Sequence, residues 1–342
     1  MRTTRIIQTL TPAGIAPAGK LNHTYPSLLP VLALLVTTSS WSQTLTSVKV
    51  PHRPPNMSMA APSGSPAADT SASGRYKFIP IAAPDSTYAC ADGINNAGMV
   101  TGYYQDSSAN DHGFVWQNGA LQTVDYPGAV ETILYGVNNR GVAMGYYMDS
   151  TAAHTAAYSV STGTWTPLPD IPNYSENAGY CINDSGVAVG NAYEGSTAVA
   201  WIWDSAARSY SFFTVPGAAQ YTTSPSCIND KNQIAGYYVD AGGAYQGFIS
   251  EYGTYTIVTV PGGVDTYPDG INNRGTIQGQ IFNAAFVAEG FVETSGGMST
   301  IVNYPGAGAT TIVGINNRGD LSGCFGGPGF SGTVAPFIAI LQ

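Results

Sequence analysis

The hexapeptide Gly-Ile-Asn-Asn-Arg-Gly at residues 270–275 returns letter for letter at residues 314–319, and looser copies occur four more times. Successive copies, aligned on their first asparagine, are 43, 45, 46, 43 and 44 residues apart. A period of this size fits four short strands with their turns and is typical of propeller blades. The six aligned residues are Asn95, Asn138, Asn183, Asn229, Asn272 and Asn316.

The first copy shows the internal plan of the repeat. An apolar run follows the hexapeptide at residues 99–104, a strand is predicted at 113–116, and Asn118-Gly119 predicts a hairpin turn before a fourth strand at 121–126. Asparagine tolerates positive φ and glycine supplies the left-handed position, so the hexapeptide itself is interpreted as a turn. The alternative is a ring of asparagine side chains that holds a ligand or a metal ion.

The two ends of the repeat region predict how it closes. The sixth copy ends after its third strand, at residues 335–340, whereas residues 76–82 precede the first copy and resemble a fourth strand. An N-terminal strand that completes the last blade removes the exposed sheet edges. We therefore predict an all-β fold, a six-bladed β-propeller over residues 76–342, with the first strand of each repeat lining the channel.

The N-terminal segment predicts export. Arg2, Arg5 and Lys20 precede an apolar run at 28–36, which is too short to span a bilayer comfortably and predicts a signal peptide over residues 1–42. An N-terminal membrane anchor is the alternative. Residues 43–75 are rich in Ser, Pro and Ala and predict a disordered linker. The mature protein is expected to be a monomer, secreted to the cell exterior or the periplasm, and not an integral membrane protein.

Charge restricts the class of partner. Residues 76–342 contain 20 acidic and six basic residues, a net charge of −14. Such a surface repels a phosphate backbone, which excludes nucleic acid as the expected partner. A cation, a neutral glycan or a basic protein at the cell exterior remains open.

Several motifs together resemble a known family. The combination of the hexapeptide, Gly-Tyr-Tyr at 102–104, His-Gly-Phe-Val-Trp at 112–116 and the Pro-Gly-Ala turn at 127–129 resembles the extracellular repeats of the HAF family. The His-Ala-Phe signature of that family is represented by His112-Gly113-Phe114. The resemblance covers residues 76–342. It implies an exported, propeller-like repeat protein and supplies no catalytic residues.

Four cysteines lie in the repeat region, and an even number in an exported chain predicts disulfides, with three possible pairings. Cys181 and Cys227 occupy equivalent positions in adjacent repeats, and Cys90 and Cys324 belong to the first and last repeats, which are neighbours in a closed ring. We predict the pairs Cys181–Cys227 and Cys90–Cys324. The alternative is buried free thiols, because equivalent strands of adjacent blades can lie too far apart for a bridge.

The usual catalytic motifs are missing from the sequence, so no catalytic residue and no cofactor are predicted. His112 and His154 precede the third strands of neighbouring repeats, but two histidines are weak support for a metal site. Asp184 and Asp230 replace the second asparagine in two copies, whereas the other four copies stay neutral. A Ca²⁺ site, which needs several oxygen ligands with carboxylates among them, is therefore unsupported.

Tyrosine pairs provide the candidate ligand site. Pairs at 103–104, 146–147 and 237–238 end the second strand of three repeats, and neighbours in a strand face opposite sides. Tyr104, Tyr147 and Tyr238 are the candidates for stacking on a sugar ring. The alternative is that both rings of each pair pack between blades.

These observations favour a secreted binding or scaffold module for a glycan or protein ligand. The alternative is an extracellular polysaccharide hydrolase or lyase, which requires two carboxylates from different blades in one pocket at the channel mouth. A third hypothesis, a purely structural surface protein, predicts a channel lined only by small and apolar side chains.

Overall fold

The computed structural model describes residues 73–84, 86–195 and 197–342. The predicted signal peptide and all but the last three residues of the predicted linker lie outside the described residues. Within them the regular elements are β-strands, apart from 3₁₀ turns at Ser73–Arg75 and Pro328–Phe330. The protein is an all-β, propeller-like arrangement of small sheets. The described residues contain no helix long and apolar enough to cross a membrane.

Strand bounds follow the repeat from the N-terminus, with one strand before the first copy. That strand is Tyr76–Pro80 (β1). The first repeat contains Tyr88–Ile94 (β2), Val100–Gln105 (β3), Asp111–Gln117 (β4) and Ala120–Thr123 (β5). The second contains Glu131–Val137 (β6), Val142–Met148 (β7), Ala153–Ser159 (β8) and Thr164–Pro167 (β9). The third contains Glu176–Ile182 (β10), Val187–Glu194 (β11), Thr197–Asp204 (β12) and Ser209–Phe213 (β13).

The last three repeats continue the same plan. The fourth contains Ser224–Ile228 (β14), Ile234–Val239 (β15), Tyr245–Glu251 (β16) and Thr254–Val258 (β17). The fifth contains Gly263–Ile271 (β18), Ile277–Asn283 (β19), Ala288–Glu293 (β20) and Ser299–Ile301 (β21). The sixth contains three strands, Ala309–Ile315 (β22), Leu321–Gly326 (β23) and Ala335–Leu341 (β24).

The sheets do not match the predicted six-bladed β-propeller, which requires six separate four-stranded sheets. The described strands form four four-stranded sheets and one eight-stranded sheet, β6–β13. A single parallel bridge between Ala153 of β8 and Glu176 of β10 joins the second and third repeats into that larger sheet. The repeat pattern in the sequence carries no information on backbone pairing between neighbouring repeats, so this bridge could not be predicted.

The N-terminal strand supplies the fourth strand of the last sheet, as predicted. β1 pairs antiparallel with β24, with Tyr76 opposite Leu341 and Pro80 opposite Phe337. Phe78 packs edge-on against Tyr304, with ring centroids 5.4 Å apart. The chain ends are also tied together, because the backbone N–H of Gln342 donates to the Arg75 carbonyl at 2.9 Å.

Bulky side chains of the third strands fill the sheet interiors. Phe114, Trp201, Phe248, Phe291 and Phe337 each lie in the third strand of their repeat and are fully buried. Burying one such aromatic side chain contributes roughly 1.5–3 kcal/mol.

Candidate functional site

The first asparagine of every hexapeptide belongs to one hydrogen-bonded ring, here called the inner amide ring. In each of the six residues, Nδ2 donates to the backbone carbonyl of the next ring asparagine at 2.9–3.2 Å, and Asn316 donates back to Asn95. The side-chain oxygen accepts two N–H groups of its own turn, as Asn138 does from Arg140 and Val142. Both ends of the amide are therefore used.

The second residue of the hexapeptide forms an outer ring. Its backbone N–H donates to the side-chain oxygen of the equivalent residue in the next repeat at 2.7–2.9 Å, around all six repeats. Only an acceptor is needed at this position, which explains why aspartate replaces asparagine in two copies. The outer ring comprises Asn96, Asn139, Asp184, Asp230, Asn273 and Asn317.

The repeating hexapeptide is therefore an architectural element that joins neighbouring repeats. Its glycine has positive φ, as at Gly98 (φ 78°), and Asn232 (φ 60°) takes that position in the fourth repeat. The two rings surround a cavity of about 410 Å³, including space open to solvent. The inner-ring oxygens already accept at least two hydrogen bonds each, and Asn316 accepts three, so they are poor ligands for a metal ion.

A β-bulge interrupts every first strand three residues before the inner-ring asparagine. The antiparallel register with the second strand shifts there in all six repeats, for example between Ala91 and Gly93 in β2. Bulges re-aim a side chain and are frequent next to active sites. The bulged residues are buried, between 1% and 7% exposed, and are Asp92, Tyr135, Tyr180, Ser226, Asp269 and Val313.

These bulges place side chains in the channel. All six first strands line a channel cavity of about 390 Å³, including space open to solvent, and Asp92, Tyr180, Ser226, Asp269 and Val313 contribute to its wall. The first strands therefore line the channel as predicted. The lining is polar as well as apolar, so the channel lacks the purely small and apolar wall that a structural protein predicts.

A second cavity, here called the tyrosine cavity, adjoins the channel cavity. The two share Asp92, Asp269 and Val313 in their walls. The tyrosine cavity has a volume of about 520 Å³, including space open to solvent. Its remaining wall consists of Tyr88, Cys90, Tyr103, Tyr135, Gln280, Phe282, Thr311, Cys324 and Phe330.

Ring contacts hold the aromatic wall in place. Tyr88 and Tyr103 have centroids 5.5 Å apart, and Tyr135 meets Tyr103 edge-on at 6.4 Å and Tyr180 at 5.4 Å. In the same wall, Thr311 donates from Oγ1 to Oε1 of Gln280 at 2.8 Å. The wall thus contains aromatic rings beside an amide, a hydroxyl and two carboxyl groups.

Burial keeps the phenols of this wall neutral. Loss of solvation raises the pKa of Tyr88 to about 12, and the same effect raises the pKa of Tyr103 well above 10.0. Neighbouring charge on Asp92 adds to both increases in pKa. The hydroxyls of Tyr88 and Tyr103 therefore act as neutral hydrogen-bonding groups.

The three tyrosines chosen from the sequence are not brought together. Tyr104 and Tyr238 are buried in hydrophobic clusters between neighbouring repeats, and the Tyr104 hydroxyl lies 3.0 Å from Oγ1 of Thr123. The ring of Tyr147 stacks on that of Tyr126, with centroids 3.6 Å apart. None of the three lines the channel or tyrosine cavities. The packing alternative describes their positions.

Among the first tyrosines of the three pairs, Tyr103 lines a cavity, whereas Tyr146 and Tyr237 line neither the channel cavity nor the tyrosine cavity. Tyr103 lines the tyrosine cavity, and Gln280 and Cys324 occupy the equivalent position in the fifth and sixth repeats. The alternation of side chains along a strand places the two tyrosines of a pair on opposite sides, but it does not show which side faces a cavity. The bulge position, three residues before the asparagine, is the signal that would have located the site.

Two disulfides connect neighbouring repeats. Cys90 pairs with Cys324 and Cys181 with Cys227, each with 4.9 Å between Cα atoms, and no cysteine is free. Equivalent strands are thus close enough for a bridge, contrary to the free-thiol alternative. The Cys90–Cys324 pair also forms part of the wall of the tyrosine cavity.

Each histidine of the repeats lies between two aspartates, outside the channel. His112 Nδ1 is 2.9 Å from Asp125 and its Nε2 is 3.4 Å from Asp106. His154 repeats the arrangement with Asp170 at 2.9 Å and Asp149 at 3.3 Å. The two histidines have no aspartate partner in common. Within the part of the chain that the structure describes, no group of three or more metal-ligating side chains could hold an ion.

Comparison with solved structures places the chain among propeller-like folds. TolB from Acinetobacter baumannii matches with a TM-score of 0.51 and 9% identity, over 70% of this chain and 63% of that one. A protein of unknown function from Dyadobacter fermentans matches with a TM-score of 0.50 and 12% identity, over 78% and 98% of the chains. The SapL1 lectin, in complex with alpha methyl fucoside, matches at 0.49 and 13%, over 75% and 96%.

Identities this low show a shared fold alone, and this chain spans only 63% of the length of TolB. No protein-family model matches the sequence, and no curated protein matches it. The resemblance to HAF repeats therefore stays a prediction.

Proposed function

We propose that residues 76–342 form a six-bladed β-propeller in which the eight-stranded sheet counts as two blades. β6–β9 and β10–β13 each pair in sequence order, and one bridge joins them. The two hydrogen-bonded rings pass through six equivalent turns and return to the first. A closed set of six equivalent contacts supports six blades around one channel.

We also propose that the protein is an exported, monomeric HAF-like repeat protein that acts as a binding module. Two disulfides support folding in an oxidising compartment, as at the cell exterior or in the periplasm. The acidic surface supports a partner other than nucleic acid. A glycan that enters the tyrosine cavity is the ligand that the site favours.

The observation that carries this function is the row of six bulges. Five of the six bulged residues line one channel, the sixth, Tyr135, lines the tyrosine cavity, and the two cavities share three wall residues. Sugar rings are held by aromatic faces together with amide, hydroxyl and carboxyl groups, and all four kinds of group line this cavity. Concave sites with a few convergent polar groups are the usual form of ligand sites.

A glycan array on the purified protein, followed by calorimetry on the best binder, tests this function. Tyr103→Phe removes one hydroxyl from the cavity wall and should weaken binding about 10-fold, the effect of one hydrogen bond. Tyr104→Phe is the matched control, because the hydroxyl of the neighbouring Tyr104 contacts Thr123 instead of a cavity. Absence of glycan binding, or equal losses in both variants, would contradict a glycan site in the tyrosine cavity.

A polysaccharide hydrolase is a second candidate, favoured by one observation. Asp92 of the first repeat and Asp269 of the fifth line the same two cavities. In hydrolysis one carboxyl group would give its proton to the glycosidic oxygen while the C–O bond breaks. The other would take a proton from the water that adds to the anomeric carbon. Release of reducing ends that disappears in Asp92→Asn or Asp269→Asn would support this activity.

A further inference from the structure

We infer that residues 327–333, here called the lid loop, form a movable lid on the tyrosine cavity and that Phe330 is its closing side chain. The lid loop lies between β23 and β24, and Phe330 is the residue that it contributes to the cavity wall. The inference goes beyond the proposed function, because it concerns access to the cavity and not the identity of the ligand. Three observations support it: the packing of Phe330, the backbone of the loop and the comparison with equivalent loops.

The end of the lid loop is anchored on the first repeat. The N–H of Val334 donates to the Thr87 carbonyl at 3.1 Å, and the Val334 carbonyl accepts from the N–H of Ala89 at 3.0 Å. The disulfide Cys90–Cys324 joins the same two repeats. The lid loop therefore passes from the last repeat to the first, beside the disulfide that connects them.

Apolar packing holds Phe330 in the cavity wall. Its side chain is partly buried and packs against a cluster that includes Val334 and the Cys90–Cys324 disulfide. Both cysteines are buried, at 2% and 3% exposed, and both line the tyrosine cavity. Movement of Phe330 away from this cluster would open that part of the wall and make the disulfide more accessible.

The backbone of the lid loop opposes the closed position. Phe330 has φ of 55°, in the left-handed region where a bulky side chain is strained. Packing of the ring offsets this strain, and the strain is released when the ring leaves the wall. Gly329 (φ 60°) and Gly332 (φ 75°) provide conformational freedom on both sides of Phe330. Strained residues beside glycine hinges are typical of ligand clamps and lids.

Equivalent loops of four other repeats are held by a side chain that the lid loop lacks. The residue four positions after the second-strand glycine accepts two backbone N–H groups of its own loop in Asp106, Asp149, Asp240 and Asn283. Gly327 occupies this position in the sixth repeat. Backbone bonds inside the lid loop, such as Ser331 N–H to the Pro328 carbonyl at 3.2 Å, move with it. The loop can therefore move as a unit.

Reduction of the two disulfides by dithiothreitol tests the lid on the purified protein. Alkylation of the released thiols and mass spectrometry of the cysteine peptides follow each disulfide separately. Phe330→Ala should accelerate reduction of Cys90–Cys324 about 10-fold, because the ring no longer covers this part of the wall. Reduction of Cys181–Cys227, which lies outside the wall of the tyrosine cavity, should keep its rate.

Phe286→Ala is the matched control. Phe286 belongs to the equivalent loop of the fifth repeat and has φ of 56°, but it is 57% exposed and lies outside the wall of the tyrosine cavity. Neither disulfide should respond to this substitution. Equal rates for Cys90–Cys324 in the wild type and Phe330→Ala would overturn the inference. Equal acceleration of both disulfides would overturn it too, because it indicates a general loss of stability.

Gly329→Ala distinguishes a moving lid from a fixed side chain in the wall. The added Cβ would meet no atom within 4 Å, so the substitution disfavours the φ of 60° and leaves the Phe330 ring in place. We expect about 5-fold faster reduction of Cys90–Cys324. Gly243→Ala is its control, because Gly243 has φ of 88° and equal space in the equivalent loop of the fourth repeat. This control should leave the rate unchanged.

An unchanged rate in Gly329→Ala would overturn a moving lid, and this variant decides the question if Phe330→Ala fails to fold. The probe is a small reductant, so the result does not depend on glycan binding. A failure of the lid leaves the proposed function standing, and a negative glycan array leaves the lid standing.

Discussion

At the scale of single residues, the two positions of the hexapeptide have different requirements. The inner-ring amide must donate and accept at once, whereas the outer-ring side chain needs only an oxygen acceptor. Asparagine is the short side chain that meets the first requirement, and asparagine or aspartate meets the second. A substitution in the inner ring should therefore lower the free energy of unfolding more than a substitution at the neighbouring outer-ring position.

Asn138→Ala should lower the free energy of unfolding by about 3 kcal/mol. It leaves the Asn183 carbonyl and the N–H groups of Arg140 and Val142 without their partner, and each buried orphan group costs about 1–3 kcal/mol. Asn139→Ala is the neighbouring control, with an expected cost of about 1 kcal/mol because its contacts are exposed. Guanidinium denaturation followed by tryptophan fluorescence measures both, and equal costs would contradict separate roles for the rings.

His112 should make stability depend on pH in a stated direction. Burial opposes its charge, but the hydrogen bonds to Asp125 and Asp106 outweigh that effect and raise its pKa above 6.5. The pKa of Asp106 is lowered to about 2, first by the backbone N–H of Asn110, so this partner stays ionised. The stabilisation is therefore fully present below pH 6.5 and is lost as pH rises through the raised pKa of His112.

The measurement compares the wild-type protein with His112→Gln, which cannot be charged. The difference in their free energies of unfolding should be larger at about pH 6 than at about pH 8.5. A difference that stays constant over this range, or grows with pH, would contradict a charged histidine between the two aspartates.

At the scale of strands, a second glycine of the repeat accompanies the bulge. Every second strand has glycine seven residues after the inner-ring asparagine, for example Gly102 and Gly145. A Cβ at Gly145 would overlap the carbonyl oxygen of Ile133 in β6, and the equivalent carbonyl blocks the other five. The Gly-Tyr-Tyr signature therefore records a close approach of two backbones beside the bulge.

Gly145→Ala should destabilise the protein by about 3 kcal/mol, since the added methyl group meets backbone that cannot move aside. Gly296→Ala is the matched control, because Gly296 is exposed and its Cβ would come no closer than 3.8 Å to Thr294. Its effect should stay within about 0.5 kcal/mol. Thermal and denaturant melts measure both, and a tolerated Gly145→Ala would contradict the close approach.

Much of each repeat could be predicted because local chemistry specifies it. Asn118-Gly119 was predicted as a hairpin turn and has φ of 54° and 84°. The fourth strand of the first repeat was predicted to reach residue 126 but ends at Thr123. Turns depend on the residues within them, whereas strand ends depend on pairing with the neighbour.

The site could not be located from the same signals. Alternation along a strand assumes one residue per step, and a bulge adds a residue, which reverses the faces beyond it. Asp92 and Asp269 lie at such insertions, so their convergence on one cavity is invisible in the sequence. The equivalent positions in other repeats hold tyrosine, serine or valine, which removes any repeated chemical pattern.

At the scale of the whole domain, the contacts between the last and first repeats are redundant. β1 pairs with β24, Cys90 is bonded to Cys324, and Asn316 and Arg318 both donate to backbone carbonyls of the first repeat. The described ends are adjacent, as the bond from Gln342 to Arg75 shows. The first and last repeats should therefore stay together even when the chain ends are moved elsewhere in the domain.

A circular permutant tests this separation. Gln342 is joined to Arg75 by a short Gly-Ser linker, and new ends are opened between Tyr252 and Gly253, in the turn between β16 and β17, where Tyr252 is 80% exposed. No ring, disulfide or cavity wall is cut, so the melting temperature should stay within about 5 °C of the linear domain. Opening the chain between Asn138 and Asn139 instead cuts both rings at one turn. This permutant should melt more than 10 °C lower, which corresponds to a loss of about 3 kcal/mol or more in the free energy of unfolding. Equal melting temperatures for the two permutants would mean that the rings do not hold the repeats together.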